Sequence, residues 1–262
     1  MGKRVEQHSY ISSLGVLLLS TLKSIRWWFL LVILVDLAFY AGVYGMASVA
    51  ASEIRGNYDA LSLPDPSIPQ EISPAEAQAM LSQMKAFYYG TMGMLAAVAI
   101  AVIAWWSVCK GIIWCITLKE SITLSTLWRF FMLNLAWLGC WMLLLALLAY
   151  ALDLAKATYL FLGVLGLFSL LTTSIYTFFI PSPSFASFKH GFLISLKKFH
   201  LLALPAVLLF AAYVAVAKLF MVFPPSYSVQ FSLMAFTLLF AAFGRAYLAA
   251  VLTHVTFIYE KN

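Results

Sequence analysis

Six long apolar runs, separated by short stretches that hold most of the charge, constrain this chain more than any other feature. They lie at Trp27 to Ala50, Phe87 to Val108, Phe130 to Leu152, Tyr159 to Phe179, Leu201 to Phe223 and Gln230 to about Ala250. About 20 apolar residues carry a helix across a ~30 Å hydrocarbon core. A chain in lipid must satisfy its own backbone hydrogen bonds, which leaves helices or closed barrels. These runs lack the alternating pattern of a barrel strand. Composition agrees, with 64% apolar and 10% charged residues over 262 positions. A water-soluble domain carries roughly a quarter of its residues charged. The expected fold class is therefore all-α: a polytopic protein with six transmembrane helices, forming a single membrane domain over 1–262.

Orientation follows from the basic residues, which mark the cytoplasmic side. Twelve fall at one face: Lys3, Arg4, Lys23, Arg26, Lys110, Lys119, Arg129, Lys189, Lys197, Lys198, Arg245 and Lys261. Four fall at the other, Arg55, Lys85, Lys156 and Lys218, beside acids that include Asp59, Asp65, Glu71 and Asp153. This predicts a plasma-membrane protein with both termini in the cytoplasm. Scattered over short clusters, the excess of +6 does not form the continuous basic face that nucleic acid requires. The basic start and the apolar stretch from Leu14 to Leu19 resemble a signal peptide. No small-residue cleavage site follows, so no cleavage is expected.

Three segments resemble one another: Ser20 to Arg26, Ser125 to Phe130, and Ser195 to His200. Each sets a small polar residue, a leucine and one or two bases before an odd-numbered span. Aligned leucines at 22, 127 and 196 give spacings of 105 and 69 residues, and the excess in the first matches a polar loop of similar length. The economical reading is three repeats of an amphipathic elbow plus a helical hairpin. Repeat 1 covers about 8–108 with an extracellular insertion at 51–85, repeat 2 about 110–180, and repeat 3 about 181–262. The second elbow is read at Lys110 to Leu127 and the third at Pro181 to Lys198, where Pro181 and Pro183 break the chain.

Three elbow-and-hairpin units with basic cytoplasmic elbows resemble the poorly characterised bacterial and archaeal membrane-domain superfamily that includes glycerophosphodiesterase-associated membrane domains. Those fused proteins carry catalysis in a separate soluble domain. The resemblance therefore implies a six-helix fold and no activity.

Within the insertion, Pro64, Pro66 and Pro69 predict irregular structure, and Ser73-Pro74-Ala75-Glu76 reads as a capping box starting a helix through Val108. The glycine pairs Gly42/Gly45, Gly90/Gly93 and Gly163/Gly166 would permit close helix contact.

Asp36 is the residue that stands out. It lies about 15 Å beyond Arg26, near mid-bilayer, where a carboxylate must be paired, hydrated or protonated. It would serve either ion or proton coupling or a structural role. Arg245 is its nearest formal partner, although snorkelling to the cytoplasmic face is easier. Asn134, Thr172, Thr173 and Ser174 would hydrogen-bond between helices or line a polar cavity. The bases Lys23, Arg26, Lys119, Arg129, Lys189, Lys197 and Lys198 are expected to contact anionic lipid at the cytoplasmic face. No catalytic, cofactor or metal motif is present: the four histidines and three cysteines match no ligand spacing. Two functions are thereby left: a membrane scaffold or complex subunit with a membrane-protein partner, or a small-solute or ion-coupled transporter using Asp36.

Overall fold

The computed structural model describes residues 2–25, 27–61, 73–151, 154–224 and 226–259. Arg26, Pro64, Pro66, Pro69, Asp65, Glu71, Asp153 and Lys261 lie outside these residues, as do the side chains of Lys3, Arg4, His8, Lys156 and Tyr159. Eight helices follow one another: α1 Gly2–Ser24, α2 Trp27–Asp59, α3 Pro74–Leu118, α4 Leu124–Ala151, α5 Leu154–Phe179, α6 Phe185–Lys197, α7 Phe199–Met221 and α8 Tyr227–Tyr259. No strand occurs among the described residues. Five helices there are long and apolar enough to cross a membrane, namely α2, α3, α4, α7 and α8. The chain is thus an all-helical, multi-pass membrane-type protein.

Two compact units divide the chain, one of Met1–Asp36 with Ser107–Asn262 and one of Leu37–Trp106. The first is organised around three apolar clusters. Trp114, Phe130, Trp137, Ile175 and Tyr176 join the end of α3 to α4 and α5, with Phe188 and Phe192 of α6 packed against them. Leu14 of α1, Leu202 of α7, and Tyr247, Val251, Leu252 and Val255 of α8 form the second. Phe29 and Val32 of α2 meet Ile113 of α3 and Ala242 of α8 in the third. On its open side α1 exposes Val16, Leu19 and Leu22.

The third elbow is a helix of its own. Pro181 and Pro183 stop α5 from continuing, and Ser184 caps α6 by accepting from the Ser187 N–H at 3.2 Å. The second elbow is not one: Lys110 to Leu118 continue α3 instead. Nothing there breaks a helix, and Ile113, Trp114 and Cys115 bury fully along it. The chain turns only at Lys119, whose φ is 60°. Thr123 then opens α4, its hydroxyl accepting from the Thr126 N–H at 3.1 Å.

In the second unit, Ser73 and Glu76 exchange the two hydrogen bonds of a capping box. The Ser73 N–H donates to Glu76 Oε2 at 2.8 Å, and the Glu76 N–H donates to Ser73 Oγ at 3.3 Å. From there α3 runs 45 residues, about 67 Å at the helical rise. The Trp105 indole donates to the Phe39 carbonyl at 3.2 Å and lies directly over Gly42, where a Cβ would collide with it. Gly45, Gly90 and Gly93, like Gly163 and Gly166 of the first unit, have nothing within 4 Å of where a Cβ would stand. Of the six paired glycines, only Gly42 sits at a close helix contact.

Candidate functional site

Asp36 is reached from the helical period of α2. Phe29, Val32 and Asp36 follow one another at three- and four-residue spacing, so the carboxylate falls on the face that α2 buries. The same holds on α8, where Arg245 continues a buried stripe through Leu238, Ala242, Ala249 and Leu252. Lys110 lies on the inward side of α3, between buried Ser107 and Ile113. Three helices therefore deliver one acid and two bases to one point.

The contacts are direct. Lys110 Nζ lies 2.5 Å from Asp36 Oδ1, and Arg245 Nη2 lies 2.5 Å from Asp36 Oδ2. Side-chain exposure is 2% for Asp36, 10% for Lys110 and 18% for Arg245. Phe29, Val32, Ile113 and Ala242 form an apolar cluster within one or two turns of the three charges. Each carboxylate oxygen is engaged by a different cation, so a cation arriving from outside would meet two positive charges already at the group. The ionic group joins α2, α3 and α8.

A second polar network lies between α3, α4 and α5. Buried Asn134 donates from Nδ2 to Ser107 Oγ at 3.0 Å and accepts from the Tyr176 hydroxyl at its own Oδ1. Trp137 Nε1 donates to Thr172 Oγ1 at 2.9 Å. These are hydrogen bonds between helices, the first of the two roles open to Asn134 and Thr172. Thr173 is half-buried, and its carbonyl accepts from the Thr177 hydroxyl at 2.8 Å. Ser174 is buried, and no partner is recorded for its hydroxyl among the described residues.

Of the residues singled out in the sequence, the structure brings Asp36 and Arg245 together and leaves Asn134 and Thr172 in a separate network. Lys110, Ser107, Tyr176 and Trp137 complete these sites and are not singled out by sequence reasoning. The signal for Lys110 is its length: a buried acid needs a cation at its own depth, and a lysine stem reaches more than a turn along its helix. Arg245 takes the inward position rather than snorkelling, because the Asp36 carboxylate is there to receive it.

Among the lipid-contact candidates, Lys23, Lys119, Arg129, Lys189 and Lys197 are exposed and Lys198 is half-buried. Arg129 is engaged within the protein, donating from Nη1 to the Pro183 carbonyl at 3.0 Å and tying α4 to the turn before α6. No three His, Cys, Asp or Glu side chains group as metal ligands among the described residues. No protein-family model, curated protein or solved structure matches the chain.

Proposed function

We propose that this chain is an integral membrane scaffold or complex subunit, and that Asp36 is an internal latch rather than a coupling site. The observation that supports this is the engagement of both Asp36 oxygens by Lys110 and Arg245 in a buried setting. A carboxylate that couples transport must exchange a proton or cation with water during its cycle. Here each oxygen already has a cationic partner, and two positive charges oppose a third. Removing the carboxylate from such a group leaves two cations uncompensated in a low-dielectric site, which is costly, whereas removing one cation leaves a one-to-one pair.

In this reading α5, 26 residues long, is the sixth span beside the five apolar ones. The termini lie in the cytoplasm of a plasma-membrane protein, and the three hairpins with their basic segments are the repeated unit of the superfamily the sequence resembles. The exposed bases at Lys23, Lys119, Lys189 and Lys197 face anionic headgroups, and apolar side faces are left for lipid or another membrane protein.

Purified protein in liposomes tests the functional half directly. With a proton or sodium gradient imposed, wild type and Asp36→Asn should carry no gradient-dependent flux, whether of a fluorescent pH reporter or of labelled small solutes. A flux that is present in wild type and lost in Asp36→Asn would establish the transporter reading instead.

A further inference from the structure

A cleft of about 930 Å³ opens between α1, the start of α2, the end of α3 and α8. Leu17, Leu118, Ala246 and Ala249 give it an apolar wall, and Trp27 and Trp28 stand at its side. Its polar groups are sorted by what they can still do. The hydroxyls of Ser20, Ser24, Thr117 and Thr253 each donate to a carbonyl of their own helix, at 2.9, 2.8, 2.8 and 2.9 Å. With their protons committed, they offer only acceptor oxygens to the cleft. Thr21, which also lines the cleft, likewise donates to the Leu17 carbonyl at 2.8 Å, and Lys119 brings a cation to it. No Asp or Glu is among the lining residues.

Lys119 itself is placed at a conformational cost. Its N–H bonds to the Ile116 carbonyl at 3.2 Å, and the Glu120 N–H bonds to that of Cys115 at 2.8 Å. With φ at 60°, this is the left-handed helix end that glycine ordinarily fills. A lysine held there projects its charge beside the cleft at the expense of backbone comfort, the kind of local strain that accompanies a binding role.

Cation, acceptor oxygens and apolar wall together describe an amphiphile with a negative group, hydroxyl donors next to it, and a hydrocarbon tail. We propose that this cleft holds one anionic glycerophospholipid, its phosphate at Lys119 and its headgroup hydroxyls at the serine and threonine oxygens. The proposal rests on the reading of the chain as a membrane protein with a basic, lipid-facing side, and it narrows that side to a single site.

Native mass spectrometry of the full chain in mild detergent tests it, with phosphatidylglycerol and phosphatidylcholine of matched acyl chains offered together. One phosphatidylglycerol per chain should be retained in preference to phosphatidylcholine. Lys119→Gly should cut that retention roughly fivefold, while its Tm stays level or rises because the strain is relieved. Millimolar glycerol 3-phosphate should not displace the lipid; displacement would make this a site for a soluble phosphate ester and overturn the proposal. Wild-type retention in Lys119→Gly, with loss in Lys197→Gln/Lys198→Gln, would overturn the cleft and leave the general basic-surface reading standing. Equal retention of both lipids by wild type would overturn both.

Discussion

Glu76 sits in the first turn of α3, ahead of the apolar run that begins at Phe87, and is bonded to Ser73 in both directions. The Ser73 backbone N–H, with a smaller part from its side chain, holds the Glu76 carboxyl below the ordinary carboxylate range. A carboxyl whose value is lowered by folding contributes stability that is complete above its unfolded value. That contribution is lost as the pH falls through the lowered value. Amide hydrogen exchange at Glu76 and Ala77, corrected for intrinsic rate, should therefore speed up as the medium is made acidic. Glu76→Gln should exchange with no such pH dependence, and a wild type equally flat with pH would contradict the capping role. This cap is legible in four consecutive residues because its partners are local. The partner of Asp36 was only half legible. Asp36 and Arg245 stand out as charges within apolar runs, but a count of bases by face sorts Lys110 with the interface. Which side of α3 faces α2 depends on packing that no spacing within α3 encodes.

Gly191 decides how α6 lies against α5. A Cβ there would stand 2.9 Å from the Ile175 Cα and 3.0 Å from the Ser174 carbonyl oxygen, both backbone atoms that cannot rotate away. Gly191→Ala should therefore push the two helices apart, at about 1–3 kcal/mol, as overpacking does elsewhere. Gly166, on the same α5 and with nothing within 4 Å, is the control, and its alanine variant should be neutral or slightly stabilising. Thermal unfolding in detergent compares them; equal Tm values would show that α6 does not depend on this contact. The sequence signals for α6 are strong, since two prolines and a capping serine delimit it. The end of α3 has no such punctuation. From Lys110 to Leu118 the mixed apolar and polar pattern fits an interfacial elbow as well as a continuing helix, and burial of Ile113, Trp114 and Cys115 selects the helix. Small residues mislead for a related reason: glycine permits close contact without requiring it, and Gly42 alone among the pairs has a neighbour pressed upon it.

Across the whole molecule, the long apolar runs dictate helices, five of which are long and apolar enough among the described residues to cross a membrane. The way distant helices are pinned together rests on charge bookkeeping at one point. Asp36 joins residues 74 and 209 positions away in the chain. Two cations share one carboxylate, so the three possible deletions are unequal. Lys110→Met leaves a one-to-one pair between Asp36 and Arg245 and should cost little. Asp36→Asn leaves buried Lys110 and half-buried Arg245 without their counter-charge and should cost about 3–5 kcal/mol. Replacing all three by apolar residues removes the problem with its solution, and buried ionic groups so replaced are often no less stable. The decisive measurement is thermal unfolding of the purified protein in one detergent for wild type, Asp36→Asn, Lys110→Met and the triple variant Asp36→Leu/Lys110→Met/Arg245→Met. The latch predicts a large fall in Tm for Asp36→Asn, a small one for Lys110→Met, and recovery towards wild type in the triple variant. An Asp36→Asn protein as stable as wild type would contradict it.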